Sequence, residues 1–273
     1  MKKLIADSLQ LIARTTWIAS PSARKDDGED EISQRRQRRE ICERSEAIHN
    51  FVILKYDIIQ PMIITYHNIE FFKVQFGDIV IAFNPISKDS KFKGPRFGAD
   101  IAIITANSVD LNGVESVSSK NKEPFVISGP GEYEIKGIFI RGVFYNTQYK
   151  GKSRINTVYS LTLDGIKIGF LGALDSIELG ENAKSVLGDV EVLFTPIGGD
   201  GVLNASDAHK LATKLGAKII IPMHYGDVGE KDALKKFLKE GGEENVKPVD
   251  KLTIKKKDLE GRDGEIIVLN SEV

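Results

Sequence analysis

Histidines, one loop acid and two glycine-rich turns are the residues of this sequence whose types and placing could do chemistry. There are four histidines, and histidine is the side chain that binds metals and moves protons near neutral pH. His224 ends the apolar run of I-I-I-P-M-H-Y-G-D, where a loop begins. His67 sits in I-T-Y-H-N, between the first two predicted strands of the main region. His209 stands one position off the apolar stripe of a predicted helix and reads as a solvated residue, and His49 lies in a charge-rich N-terminal segment. Asp110 falls in I-T-A-N-S-V-D-L-N-G-V-E, where the apolar residues 101–104 empty into a small polar loop. An aspartate there can be a ligand, or it can close a turn through its own side chain. The glycine-rich stretches 128–133 and 198–201 lack the G-x-x-x-x-G-K pattern of a phosphate cradle and read as turns. The second leads towards a helix start, where weak anion binding is open to it.

The elements that must hold these residues are legible from hydrophobic period. Short β-rich runs are predicted at 63–66, 70–76, 79–83, 101–105, 124–128, 132–135, 137–144, 156–163 and 166–171. Gly77-Asp78 and Asp164-Gly165 mark hairpin turns. Strands then alternate with helices. A buried strand at 192–194 precedes a helix with Asn204 as N-cap, Asp207 in its first turn and Gly216 as its stop. Ala208, Leu211, Ala212 and Leu215 repeat at helical spacing. A buried strand at 218–222, a helix at 232–240 and strands at 252–254 and 265–269 complete the chain. Hairpins followed by β-α-β units predict two mixed sheets faced by helices.

The 273 residues suffice for one large domain, and the hydrophobic and charged fractions of 41% and 28% are those of an ordinary globular protein. Net charge of -1 gives no argument for a nucleic-acid or membrane partner. Cys42 is the lone cysteine, so no internal disulfide forms and a cytoplasmic location is expected. The opening MKKLIADSLQLIARTTWIAS hints at a signal peptide, but Asp7, Gln10 and Arg14 interrupt its apolar part. No apolar run approaches the ~18–20 residues that span a bilayer. Residues 1–61 differ from the rest. They are charge-dense, with Arg35, Arg36, Arg38 and Arg39 as the only hint of a nucleic-acid partner, and they read as an extension, disordered or preceding a true start at Met62. Residues 62–273 form the domain.

From Met62 to about Val268 the chain resembles the metallo-β-lactamase superfamily. The resemblance is carried by the order of M-I-I-T-Y-H-N-I-E-F-F-K-V, I-V-I-A-F-N-P, G-P-G-E-Y-E-I-K-G, L-T-L-D-G-I-K-I-G-F-L-G-A-L, L-F-T-P-I-G-G-D-G and A-K-I-I-I-P-M-H-Y. Its ascorbate-6-phosphate-lactonase-like branch is the most similar. The resemblance implies an α/β fold, an αββα sandwich of two mixed β-sheets faced by helices. It also implies a pair of metal ions, usually zinc, held at strand ends, where metal lowers the pKa of a bound water to ~7. The family's H-x-H-x-D-H motif falls on Ala106, Ser108, Asp110 and Leu111, so only Asp110 matches. The later aspartate falls on Ala173, no histidine occurs in 144–149, and the last histidine is His224.

Catalytic zinc ordinarily has three protein ligands and a water. Asp110 and His224 are the residual ligand candidates, and no cofactor is expected. The first expectation is therefore a degenerate member whose cleft binds a small molecule or a partner, and in which Asp110 forms a turn. His67, Asn84, Asn112, His224 and Tyr225 would then line a polar cleft. The alternative is a hydrolase of lactone, phosphoester or amide bonds with a rebuilt site. It would hold one zinc through Asp110, Asp175, His67 and His224, or use Asp110 and His224 as an acid–base pair without metal.

Overall fold

The computed structural model describes residues 60–272 together with Arg39 and Glu43. The chain divides into two units, Met1–Ile58 and Ile59–Val273. In the first, Arg39 and Glu43 form an exposed i,i+4 ion pair at 3.5 Å, and such pairs contribute little stability. The remainder of the arginine cluster, His49 and Cys42 lie outside the described residues.

The second unit is built on two mixed β-sheets. The first sheet comprises β1 (Met62–Tyr66), β2 (Phe72–Phe76), β3 (Ile79–Phe83), β4 (Ile101–Ile103), β5 (Phe125–Ile127) and the late strand β12 (Leu252–Ile254), in the order β12-β1-β2-β3-β4-β5. The hairpin strands β1, β2 and β3 pair antiparallel, whereas β4 joins β3 in parallel, with Phe83 opposite Ile103. The second sheet contains β6 (Gly131–Ile135), β7 (Ile138–Thr147), β8 (Arg154–Leu163), β9 (Ile166–Phe170), β10 (Val192–Pro196), β11 (Ile219–Met223) and β13 (Glu265–Ile266). Its order is β13-β11-β10-β9-β8-β7-β6, antiparallel over the hairpins and parallel over the β-α-β half.

Strand period separates two layers of packing. On β3 and β4, Ile81, Phe83, Ile101 and Ile103 point into the core between the sheets, while Ala82 and Ala102 join a smaller cluster on the other face. Four phenylalanines from both sheets lock the central core. Phe83 stacks on Phe170 at 4.6 Å between ring centroids, and Phe72 meets Phe194 edge-on at 4.7 Å. Burying each such ring stabilises the fold by roughly 1.5–3 kcal/mol relative to exposure.

Three helices, α1 (Glu181–Leu187), α2 (Ala205–Leu215) and α3 (Ala233–Glu240), cluster with residues of β10, β11 and β13 from the other face of the second sheet. Asn204 caps α2 through its side-chain acceptor for Asp207 N–H, and Gly216 ends it in the left-handed conformation. Helix α1 was not foreseen in the sequence, because seven residues are too few for a clear apolar period. The strand expected at 70–76 begins only at Phe72. Residues 67–71 instead form a tight turn closed by His67 N–H to Phe71 O and Phe71 N–H to Asn68 O. His209, expected to be solvated, meets Phe237 of α3 edge-on at 6.0 Å. Among the described residues no helix is long and apolar enough to cross a membrane.

Candidate functional site

Ligands of mixed α/β sheets gather outside the carboxyl ends of parallel strands. Four such ends carry the residues singled out above. The loop 104–113 follows β4, Gly172-Ala173 follows β9, the loop 197–201 follows β10, and His224 follows β11.

Asp110 is 1% exposed. Its carboxylate accepts from Ser90 Oγ through one oxygen and is ion-paired with Lys150 Nζ through the other. The turn that Asp110 was expected to close is closed by backbone instead, with Leu111 N–H bonded to Ser108 O and Gly113 N–H to Pro85 O. Lys150 reaches Asp110 from the β7–β8 loop in a left-handed conformation, φ 53°. Burial first, then the charges of Lys91 and Arg154, push the Lys150 ammonium below its ordinary pKa.

His224 is paired elsewhere. Its Nδ1 lies 2.9 Å from Glu70 Oε1, and both side chains are shielded from water. The other carboxylate oxygen accepts from Asn84 Nδ2 at 2.7 Å. Asn84 also donates to Thr105 Oγ1 at 2.8 Å and accepts Thr105 N–H at 2.8 Å. An ionised carboxylate only accepts, so this network sets the imidazole proton on Nδ1. Three backbones here take positive φ without being glycine: Ile69, Asn84 and His224. His224 N–H is tied to Ile69 O at 2.6 Å. A Cβ on Gly198 would sit 2.2 Å from His224 O, so glycine is required where the two loops cross.

Tyr149 lies between the two pairs. It is fully buried, its ring meets the His224 imidazole edge-on at 5.6 Å, and it shares an apolar cluster with Ala106, Leu111, Ala173 and Phe71. Its hydroxyl is buried without a hydrogen-bond partner among the described residues. Burial, followed by the nearby Glu70 charge, pushes its ionisation far above the ordinary tyrosine range.

The other candidate residues do not join this centre through hydrogen bonds. His67 Nδ1 faces Glu272 O at 3.1 Å and Nε2 faces Thr65 Oγ1 at 3.2 Å, and burial holds its pKa below the usual value. Asn112 donates to Asn107 Oδ1 at 2.7 Å on the loop surface. Asp175 accepts from Gln148 N–H at 2.9 Å. Tyr225 donates to Leu269 O at 3.2 Å. Burial raises its phenol to about 12. Tyr225 lines a cavity of ≈ 280 Å³ with Tyr66, Asn68 and Asp227. Sequence reasoning missed Glu70, Ser90, Tyr149 and Lys150. Glu70 left one signal, an acid set between Ile69 and Phe71-Phe72, which is costly unless paired.

The family model described as Beta-lactamase superfamily domain matches residues 63–224. The chain belongs to the metallo-β-lactamase superfamily. No curated protein sequence matches it significantly. Among solved structures, it is similar to a proposed Zn-dependent hydrolase of this superfamily from Thermotoga maritima, at 24% identity and TM-score 0.60, covering 76% of this chain and 98% of that one. A proposed metal-dependent hydrolase from Parabacteroides distasonis matches at 20% identity and TM-score 0.53, covering 77% and 94%. An isothiocyanate hydrolase from Delia radicum gut bacteria matches at 14% identity and TM-score 0.50, covering 71% and 98%. These likenesses show the fold.

Zinc is the metal this superfamily implies, and the side chains do not fit it. Ala106, Leu111 and Ala173 offer methyl groups where a ligand would be, and they are packed against one another's cluster. Asp110 is committed to an ammonium, and His224, its Nδ1 turned to Glu70, leaves Nε2 as its single donor atom for a metal. Among the described residues, no group of three or more His, Cys, Asp or Glu side chains is arranged to hold a metal ion. Asp110, Asp175 and His224, which a rebuilt site would join, hydrogen-bond to three different partners.

Proposed function

We propose that this metallo-β-lactamase-fold protein has exchanged the hydrolytic centre of its relatives for packing and ion pairs, and that it acts by binding rather than by hydrolysis. The observation that carries this reading is the state of Asp110. Its carboxylate, the one retained member of the metal motif, is neutralised by Lys150. The adjacent Tyr149 is packed with Ala106, Leu111 and Ala173 at the remaining motif positions. A metal pair would neutralise buried carboxylates with divalent charge. Here a lysine ammonium does so for Asp110, and an imidazole N–H and an amide satisfy Glu70.

The alternative, a hydrolase of lactone, phosphoester or amide bonds with a rebuilt site, draws support from the His224–Glu70 pair. That pair has the hydrogen bond of an oriented general base. Its burial, with His224 3% exposed and Glu70 0%, leaves a substrate no direct approach without movement of the Tyr149 loop.

Metal analysis of untagged protein, coupled to a phosphoesterase and lactonase screen, tests the proposal. The expected result is well below one equivalent of zinc per chain and no turnover above a buffer blank. One equivalent or more of zinc, removed by chelator with loss of hydrolysis, would overturn it. Metal-independent turnover abolished by His224→Ala would select the alternative.

A further inference from the structure

The overall charge of -1 conceals a local excess. The loop 88–96, between β3 and β4, carries four cations and one acid. The stretch 148–154, the β7–β8 loop with the first residue of β8, carries three cations and no acid. These loops meet over the former metal motif. Lys91 Nζ lies 4.7 Å and Lys150 Nζ 5.7 Å from the centroid of the same Phe92 ring. Arg154 donates to Asn107 O in the motif loop, and its Nε is buried with no protein partner. Asp110 beneath them already answers Lys150. Lys91, Lys93, Arg96 and Lys152 stand exposed, and clustered like charge repels itself unless a counter-charge covers it.

The form of the patch indicates what covers it. The four best-formed cavities among the described residues take no cation of either loop, and an extended polyanion can lie across two exposed loops. Apolar faces are interleaved with the cations. Phe92 and Phe97 are half-buried, and Val109 and Ile155 are 48% and 54% exposed. Cations tracking a backbone, with aromatic and apolar faces between them, are how single-stranded nucleic acid is held without sequence preference. Phe97 is already stacked on Phe71, and an acidic peptide would use the charges and leave Phe92, whose ring neighbours are lysines, without a base to stack on. We infer that the loops 88–96 and 148–154 form a binding face for single-stranded nucleic acid, laid across the position where relatives of this fold place metal. The inference goes beyond the binding role proposed above and does not depend on whether the chain hydrolyses anything.

Fluorescence anisotropy of the full chain with a labelled mixed-sequence RNA strand of about 20 nucleotides tests it. Binding in the micromolar range is expected at about 100 mM salt, with log K falling against log salt at a slope of roughly -3 to -4 if four to six phosphates are neutralised. The K91E/K93E/K152E variant is expected to bind at least tenfold more weakly with a shallower slope, and K235E/K239E, on the exposed side of α3, to bind as the unaltered chain does. Native circular dichroism and melting are required of both variants, and K91Q/K93Q/K152Q replaces the reversal set if it fails them. Three results would each overturn the inference. These are no salt-dependent binding at about 50 mM salt, full binding by the loop variant, and equal competition by polyglutamate, which would mark an acidic protein as the partner.

Discussion

Replacing Lys150 by methionine isolates the ion pair at the centre of the proposal. The Asp110 side chain is 2% exposed and Lys150's is 42% exposed. Methionine keeps most of the stem and removes the charge, leaving the buried carboxylate with Ser90 alone as a described side-chain partner. Removing one partner of a fully buried pair costs about 3–5 kcal/mol. The exposure of Lys150 lets water screen part of that loss, so about 2 kcal/mol is the expected cost. For a folded unit of this size that corresponds to a fall in Tm of roughly 4–8 °C.

The companion variant Asp110→Asn removes the other charge. The double variant should recover most of the loss, with a coupling of at least about 1 kcal/mol in the cycle. Urea melts at pH 7 measure all four proteins. A pH series adds an independent check. Protonation removes the charge that burial penalises, so the deficit of the Lys150→Met protein should shrink on acidification towards pH ~4. A Lys150→Met cost within about 0.5 kcal/mol of zero, or additive single effects, would refute the claim that Lys150 neutralises Asp110.

Tyr149→Phe removes a buried hydroxyl that has no partner, so stability should be unchanged or rise by up to about 1 kcal/mol. A loss above that in a thermal melt would show that the hydroxyl is hydrogen-bonded after all. Gly198→Ala places a Cβ 2.2 Å from His224 O, where only backbone can give way. A loss of at least about 2 kcal/mol is expected, and a Tm unchanged from the parent would contradict the close crossing of the two loops. Burial holds the folded His67 pKa below its ordinary value. As pH falls below about 6.5, the unfolded chain takes up a proton that the folded ring refuses, so stability declines until the folded pKa is passed. An NMR titration of His67 should show a midpoint below 6.5, and His67→Gln should flatten this part of the stability profile. A midpoint at or above 6.5 would count against the burial argument.

The two-sheet architecture was legible in the residues because alternation and helical stripes are local signals. The tight turns at Gly77-Asp78 and Asp164-Gly165 and the Asn204–Gly216 helix were read from the chain, and they stand in the structure. The loss of metal-binding side chains was also legible. Ala106, Leu111 and Ala173 are chemical identities, and no fold can give their hydrocarbon side chains a lone pair. Which groups partner Asp110 and His224 was not legible. Lys150 lies 40 residues from Asp110, and Glu70 lies 154 residues from His224. Lys150 in K-G-K-S-R carries no mark of a buried partner. Pairing across such separations is set by which strand ends share a rim, and no periodicity in the chain encodes that. The same holds for charge: composition determined a balance near zero, while tertiary structure decided that Lys91 and Arg154 stand close enough to act on Lys150, the partner of Asp110, because loops distant in sequence meet where the two sheets end.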